Sequence, residues 1–127
     1  MEAIYFGDIE DALREYLDGV LSVSTYLSVP PDRPDSFVVV RRLGGPKRNI
    51  VTDSATVAVD AYANLGSQAS TLIQEARAHI HALKGQTIGG MTVYRTQEFA
   101  GPANLPDPLT DQPRYTITVS VDVRALP

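Results

Sequence analysis

Cysteine is absent from this chain. Its absence excludes disulfides, thiolate nucleophiles and every cysteine-based zinc or iron–sulfur centre. Histidine is scarce: His79 and His81 are the two present, so a metal site would have to lean on carboxylates. On a helix these two stand two positions apart and point in different directions, which prevents them from sharing a metal. No apolar run approaches the roughly 20 residues that a membrane helix needs, so no membrane partner is expected. The opening MEAIYFGDIEDA also lacks the basic start and apolar stretch of a signal peptide, and a cytoplasm is the expected place of synthesis and folding.

Catalytic signatures are missing as well. No serine sits in a G-x-S-x-G elbow, and none at a strand end is matched to a candidate base. The carboxylates of the first 20 residues fall on the outer side of a predicted helix, where they favour solubility and complement the helix dipole. His79 borders an apolar stripe and reads as a partly buried helix histidine, while His81 falls with Gln74, Arg77 and Lys84 on a polar face. The expectation is a protein that is not an enzyme, with no catalytic residue, no cofactor and no metal.

What is present is ordinary for a folded domain. The chain has 127 residues, 43% of them hydrophobic and 20% charged, and the expectation is one domain over residues 1–127. A net charge of −4 argues against free-standing nucleic-acid binding, which draws its affinity from neutralised phosphates. The charge is unevenly placed. Glu2, Asp8, Glu10, Asp11, Glu15 and Asp18 face only Arg14 in the first 20 residues, whereas Arg33, Arg41, Arg42, Lys47 and Arg48 crowd one 16-residue stretch. An acidic face and a basic loop suit pairing between copies of one chain, or with two differently charged partners.

Periodicity supplies the elements. GDIEDALREYLDGV places Ile9, Ala12, Leu13, Tyr16, Leu17 and Val20 at helical spacing, with Asp8 as N-cap. LSVSTYLSVP alternates as a short strand, and PPDRPDS turns the chain. SFVVVRRL and TVAVDAYA read as a hairpin with an elongated tip, GGPKRN. NLGSQASTLIQEARAHIHALKG is a long helix with a stripe of Leu65, Ala69, Leu72, Ile73, Ala76, Ile80 and Leu83. MTVYRTQEF is a strand, GPANLPDPLTDQP an irregular connection, and RYTITVSVDVR a strand with Tyr115, Ile117, Val119, Val121 and Val123 on its buried face and the alternate residues wet. The expected fold is α+β: a single, mainly antiparallel sheet with both helices on one face, in the order α-β-β-β-α-β-β. Flexible loops are expected over 43–53 and 100–113.

The stretch VVVRRLGGPKRN invites a phosphate-loop reading, which its context opposes. A P-loop needs G-x-x-x-x-G-K-[ST] leading into a helix whose N-terminal amides receive phosphate. Here the spacing and the hydroxyl are missing, Pro46 removes an amide, and a strand follows. The basic tip and the proline-rich loop are therefore read as protein-binding excursions, since long connections of this kind serve binding or stay disordered.

The stretches VVVRRLGGPKRN, VTDSATVAVDAYA and GPANLPDP followed by RYT, in this order of elements over residues 1–125, resemble the small tail terminator proteins of long-tailed (siphovirus) phages. The likeness is closest to those of phages infecting actinobacteria. The resemblance implies a homohexameric ring in the tail neck of the virion, assembled in the host cytoplasm. It implies contacts with the tail tube protein below and with head-completion or connector proteins above, while DNA passes through without tight binding. Interface candidates under this resemblance are Arg41, Arg42, Lys47 and Arg48 on the tip, and Asn104, Asp107 and Arg114 around the long loop. Two alternatives stay open: another neck component that joins head to tail, and a small oligomeric metabolite-binding α+β protein.

The charge balance makes one prediction directly. In a fluorescence-anisotropy titration at physiological salt the protein binds duplex DNA more weakly than about 1 μM, and tighter binding would restore a nucleic-acid role.

Overall fold

The alternating stretch RYTITVSVDVR lies at the centre of the molecule. A computed structural model of the chain describes residues 3, 5–47, 49 and 51–125. The elements run α1 (Ile9–Val20), β1 (Thr25–Tyr26), β2 (Phe37–Gly44), β3 (Thr52–Tyr62), α2 (Gly66–His81), β4 (Thr87–Ile88), β5 (Met91–Asn104) and β6 (Arg114–Ala125). The strands form one six-stranded sheet in the order β1-β2-β3-β6-β5-β4.

This α+β sheet is mixed, which corrects the expectation of a mainly antiparallel one. β1 runs parallel to β2, while the other neighbours are antiparallel. The chain leaves β1, makes the excursion 27–36 and re-enters the sheet in the same direction, a crossover that a tight hairpin does not allow. The order also gains β4, two residues long, which the expected α-β-β-β-α-β-β lacked. β5 is longer than expected and takes in Gly101–Asn104.

The helices form for the reasons their sequences give. Asp8 caps α1 by accepting the amide of Asp11 at 3.1 Å, and Glu10 and Asp11 complement the dipole in the first turn. α1 buries Ile9, Ala12, Leu13 and Leu17. Val20, expected in that stripe, is 41% exposed. Tyr16 is partly buried, and its hydroxyl donates to the carbonyl of His79 at 2.9 Å, which ties α1 to α2. α2 buries Ala69, Leu72, Ile73, Ala76 and Ile80, but Leu65 is its exposed N-cap residue.

One apolar cluster joins both helices to Val38, Val40, Val57, Val59, Ile117, Val119, Val121 and Val123. Each such side chain contributes about 1.5–3 kcal/mol on full burial. A second, smaller cluster of Phe37, Val39 and Tyr62 sits on the other face of the sheet, where Phe37 and Tyr62 stack at 4.5 Å. That other face is drier than alternation implied: Ser120 and Asp122 of β6 are 2% and 0% exposed. A buried carboxylate needs partners to persist. Asp122 accepts from the hydroxyl of Ser54 and from Nε of Arg95. The bulge between Val93 and Arg95 sets Arg95 opposite Asp122.

The outer edge of β2 is guarded. The amide of Arg42 donates to Oε2 of Glu10 at 2.7 Å, so an α1 side chain occupies a position where another strand would pair.

Val119 is fully buried at the centre of the sheet. Val119→Asp lowers stability by roughly 4 kcal/mol or more, read as the urea midpoint, because the new carboxylate has no partner. A native-like midpoint would reverse the assignment of the sheet faces.

Candidate protein interfaces

The glycine pair in VVVRRLGGPKRN serves a turn with close backbone approach. Gly45 has φ 106°, and a Cβ there would stand 2.1 Å from the carbonyl oxygen of Ser54. Only glycine permits that contact. The loop returns to β3 through the bond from the amide of Ser54 to the carbonyl of Pro46 at 3.1 Å.

The basic residues of the tip separate into distinct settings. Arg42 donates through its guanidinium to Oδ2 of Asp53 at 3.0 Å and to the carbonyl of Gly44 at 3.2 Å. Nζ of Lys47 lies 5.8 Å from the ring centroid of Phe6. Arg41 is exposed, pairs in register with Ala58, and makes no ion pair among the described residues. Arg48 lies outside the described residues. The structure therefore leaves Arg41 turned to solvent and holds Arg42 within the chain. Glu10 of the acidic helix reaches β2 as well, where it accepts the Arg42 amide rather than meeting a cation.

The proline-rich excursion is tied down by its own polar groups. Asp107 is 5% exposed. Its Oδ1 accepts the amides of Leu109 and Thr110 at 2.8 and 3.4 Å, and its Oδ2 accepts Arg33 at 2.8 Å. Arg33 also reaches the side chains of Thr110 and Gln112. Arg114 donates Nε to the carbonyl of Leu105 at 2.7 Å, and its guanidinium, like that of Arg33, lies 5.8 Å from the Tyr62 ring centroid. Asn104 ends β5, exposed and opposite Tyr115. Asp107 and Arg114 thus brace the loop from inside. At its tip Leu109 is 89% exposed.

A second brace joins helix to sheet. Arg77 of α2 grips both oxygens of Glu98 on β5 at 2.6 and 2.7 Å. His81, expected to face solvent, is exposed but meets Oγ1 of Thr96 at 3.1 Å and Glu98 at 3.5 Å. The Arg77 guanidinium holds Glu98 below the usual carboxylate range, with His81 adding to it. The amide of Leu109, then Arg33 and the amide of Thr110, do the same for Asp107.

Sequence reasoning passed over Leu43 and Leu109, which are 50% and 89% exposed, because leucine reads as core by default. A leucine between glycines, prolines and charges, outside any apolar stripe, was the available signal. Among the described residues no group of three or more histidine, aspartate or glutamate side chains converges on one point.

These features define a small α+β protein whose chemistry-bearing residues brace loops and whose distinctive surfaces are exposed leucines and unmatched charges. The chain belongs to the phage tail termination protein family, whose model matches residues 5–126. Proteins of this family are structural tail components, so the chain is a virion component that acts in tail assembly with other tail proteins. No curated protein matches the chain.

Because Asp107 has a depressed pKa, its stabilisation is complete above the ordinary aspartate value of about 3.9 and is lost as pH falls through the folded value. Asp107→Ala therefore costs about 1–3 kcal/mol at pH 7, where amides and Arg33 lose their acceptor, and the deficit closes toward pH 2. Urea midpoints of both proteins across that range check the sign; a deficit that persists at pH 2 would mean the loss is packing alone.

Proposed function

We propose that this chain, working as one domain over residues 1–127, caps the head-proximal end of the tail tube as a hexameric ring. The ring ends tube polymerisation and offers a docking surface to head-completion proteins in the neck. The single observation that carries this reading is the family match across nearly the whole chain.

The surfaces suit the role. A cap of this kind needs separate contacts for the tube, for its neighbours and for the head. The chain offers the basic tip around Arg41, Arg42, Lys47 and Arg48, the braced loop around Asn104, Asp107 and Arg114, and the acidic outer side of α1. Bracing lowers the entropy lost when a loop meets a partner. An overall charge of −4 suits an opening that lets DNA through without retaining it.

Removing this gene alone from the phage produces overlong, headless tails beside filled heads in electron micrographs. Tails of normal length that fail to join heads would assign the chain to head–tail joining instead, and intact particles would overturn the assembly role in the neck.

A further inference from the structure

Two exposed patches of opposite character lie on different parts of the surface. The first is on β2. Arg41 points to the face of its register partner Ala58, away from the helices, and has no ion pair among the described residues. Leu43, two residues on, is the extra residue of the bulge between Arg42 and Gly44 and is 50% exposed. The bulge interrupts the strand's alternation there, and Leu43 stands out to solvent close along the chain to Arg41. The result is an apolar knob with a cation beside it that has no ion pair among the described residues.

The second patch is a concavity of about 450 Å³ between α1 and the turn after β4. Ala12, Gly19, Ile88 and Gly89 line it, with Val20 41% exposed beside them and the carboxylate-bearing Glu15 among its lining residues. Small residues keep it open. A Cβ on Gly89, at φ 54°, would stand 2.6 Å from Cβ of Ala12. Glu15 is exposed and makes no ion pair among the described residues; Arg14 beside it bonds to Asp11 at 2.9 Å and feels the Glu15 charge only at longer range.

The knob carries a cation and the concavity an anion, neither in an ion pair among the described residues. α1 packs on the helix-covered face and Arg41 lies on the other, so one chain cannot bring its own Arg41 and Glu15 together. Two different, complementary patches on one chain make a head-to-tail contact, which closes into a ring when the rotation per subunit permits.

We propose that Leu43 of one copy seats in the α1–β4 concavity of the next, with Arg41 against Glu15. This rests on the ring reading above and names the contact that would build it. The apolar knob supplies desolvation at the centre, and the charge pair fixes partner and register.

The absence of native cysteine makes a direct test clean. Both Leu43 and Val20 are exposed, so the double variant Leu43→Cys/Val20→Cys retains the fold, checked by its urea midpoint. Oxidation of tails assembled with it produces a ladder of disulfide-linked copies on a non-reducing gel, and neither single variant does. Separately, Arg41→Glu or Glu15→Arg weakens self-association by about tenfold or more in sedimentation, and combining the two restores it. Where the protein alone stays monomeric, the same variants are scored by the yield of correctly terminated tails.

Terminated tails of normal length without a ladder, or single charge reversals that associate as the parent does, would overturn this contact. The same holds for a charge swap that fails to rescue. None of those results touches the capping role, which stands or falls on tail length after gene removal.

Discussion

Eleven consecutive residue pairs, Thr52–Tyr62 against Arg114–Arg124, hold the centre of the sheet in unbroken antiparallel register. The two strands are far apart in sequence, so this pairing forms only when the chain between them folds back over the sheet. β3 is buried on nearly every residue, on both faces, which makes it a fixed axis for the rest. β2 hangs from one side and carries the basic tip; β5 hangs from the other and leads into the proline-rich loop. α1 and α2 cover one face because the valines of β2, β3 and β6 point there. The basic tip and the proline-rich loop both owe their positions to that central pair.

Charge is divided between bracing and recognition. Arg42 with Asp53 spans the β2–β3 hairpin, while Arg33 with Asp107, Arg77 with Glu98 and Arg95 with Asp122 join segments farther apart in sequence. Partly buried ion pairs add little net stability, since desolvation offsets attraction, but they set geometry. Here they orient a loop, a hairpin tip and a long strand. Arg41 and Glu15 are among the exposed charges that make no ion pair among the described residues. For a structural tail protein that division matters more than any single pocket: a rigid surface loses less entropy when it assembles.

Local patterns exposed a good part of the architecture. Asp8 as a cap, the stripe of Ile9, Ala12, Leu13 and Leu17, and that of Ala69 to Ile80 were all legible from helical spacing. The inward face of β6 was legible from alternation. The rest was not, for identifiable reasons. A two-residue strand such as β1 or β4 has no periodicity to detect, and its direction depends on the route of a crossover. Bulges at Val93/Arg95 and Glu98/Ala100 shift which residues face which way, and nothing local announces them. Burial of Ser120 and Asp122 followed from partners on β3 and β5 rather than from their own neighbours. Among the interface candidates, sequence could not tell Arg41, turned to solvent, from Arg42, held by Asp53.

By itself the sequence determined the elements with strong period, the exclusion of thiol chemistry, and the match to a family of tail proteins. Those properties reside in residue identity and short spacing, which the linear chain carries in full. Tertiary structure alone decided the mixed sheet, the dry patch around Asp122, and which charges are satisfied and which are left over. Such outcomes depend on contacts 11 to 74 residues apart, as between Arg42 and Asp53, Arg95 and Asp122, or Arg33 and Asp107. A charge becomes available to a partner only when folding has brought no opposite charge beside it, and that is a property of the packed chain.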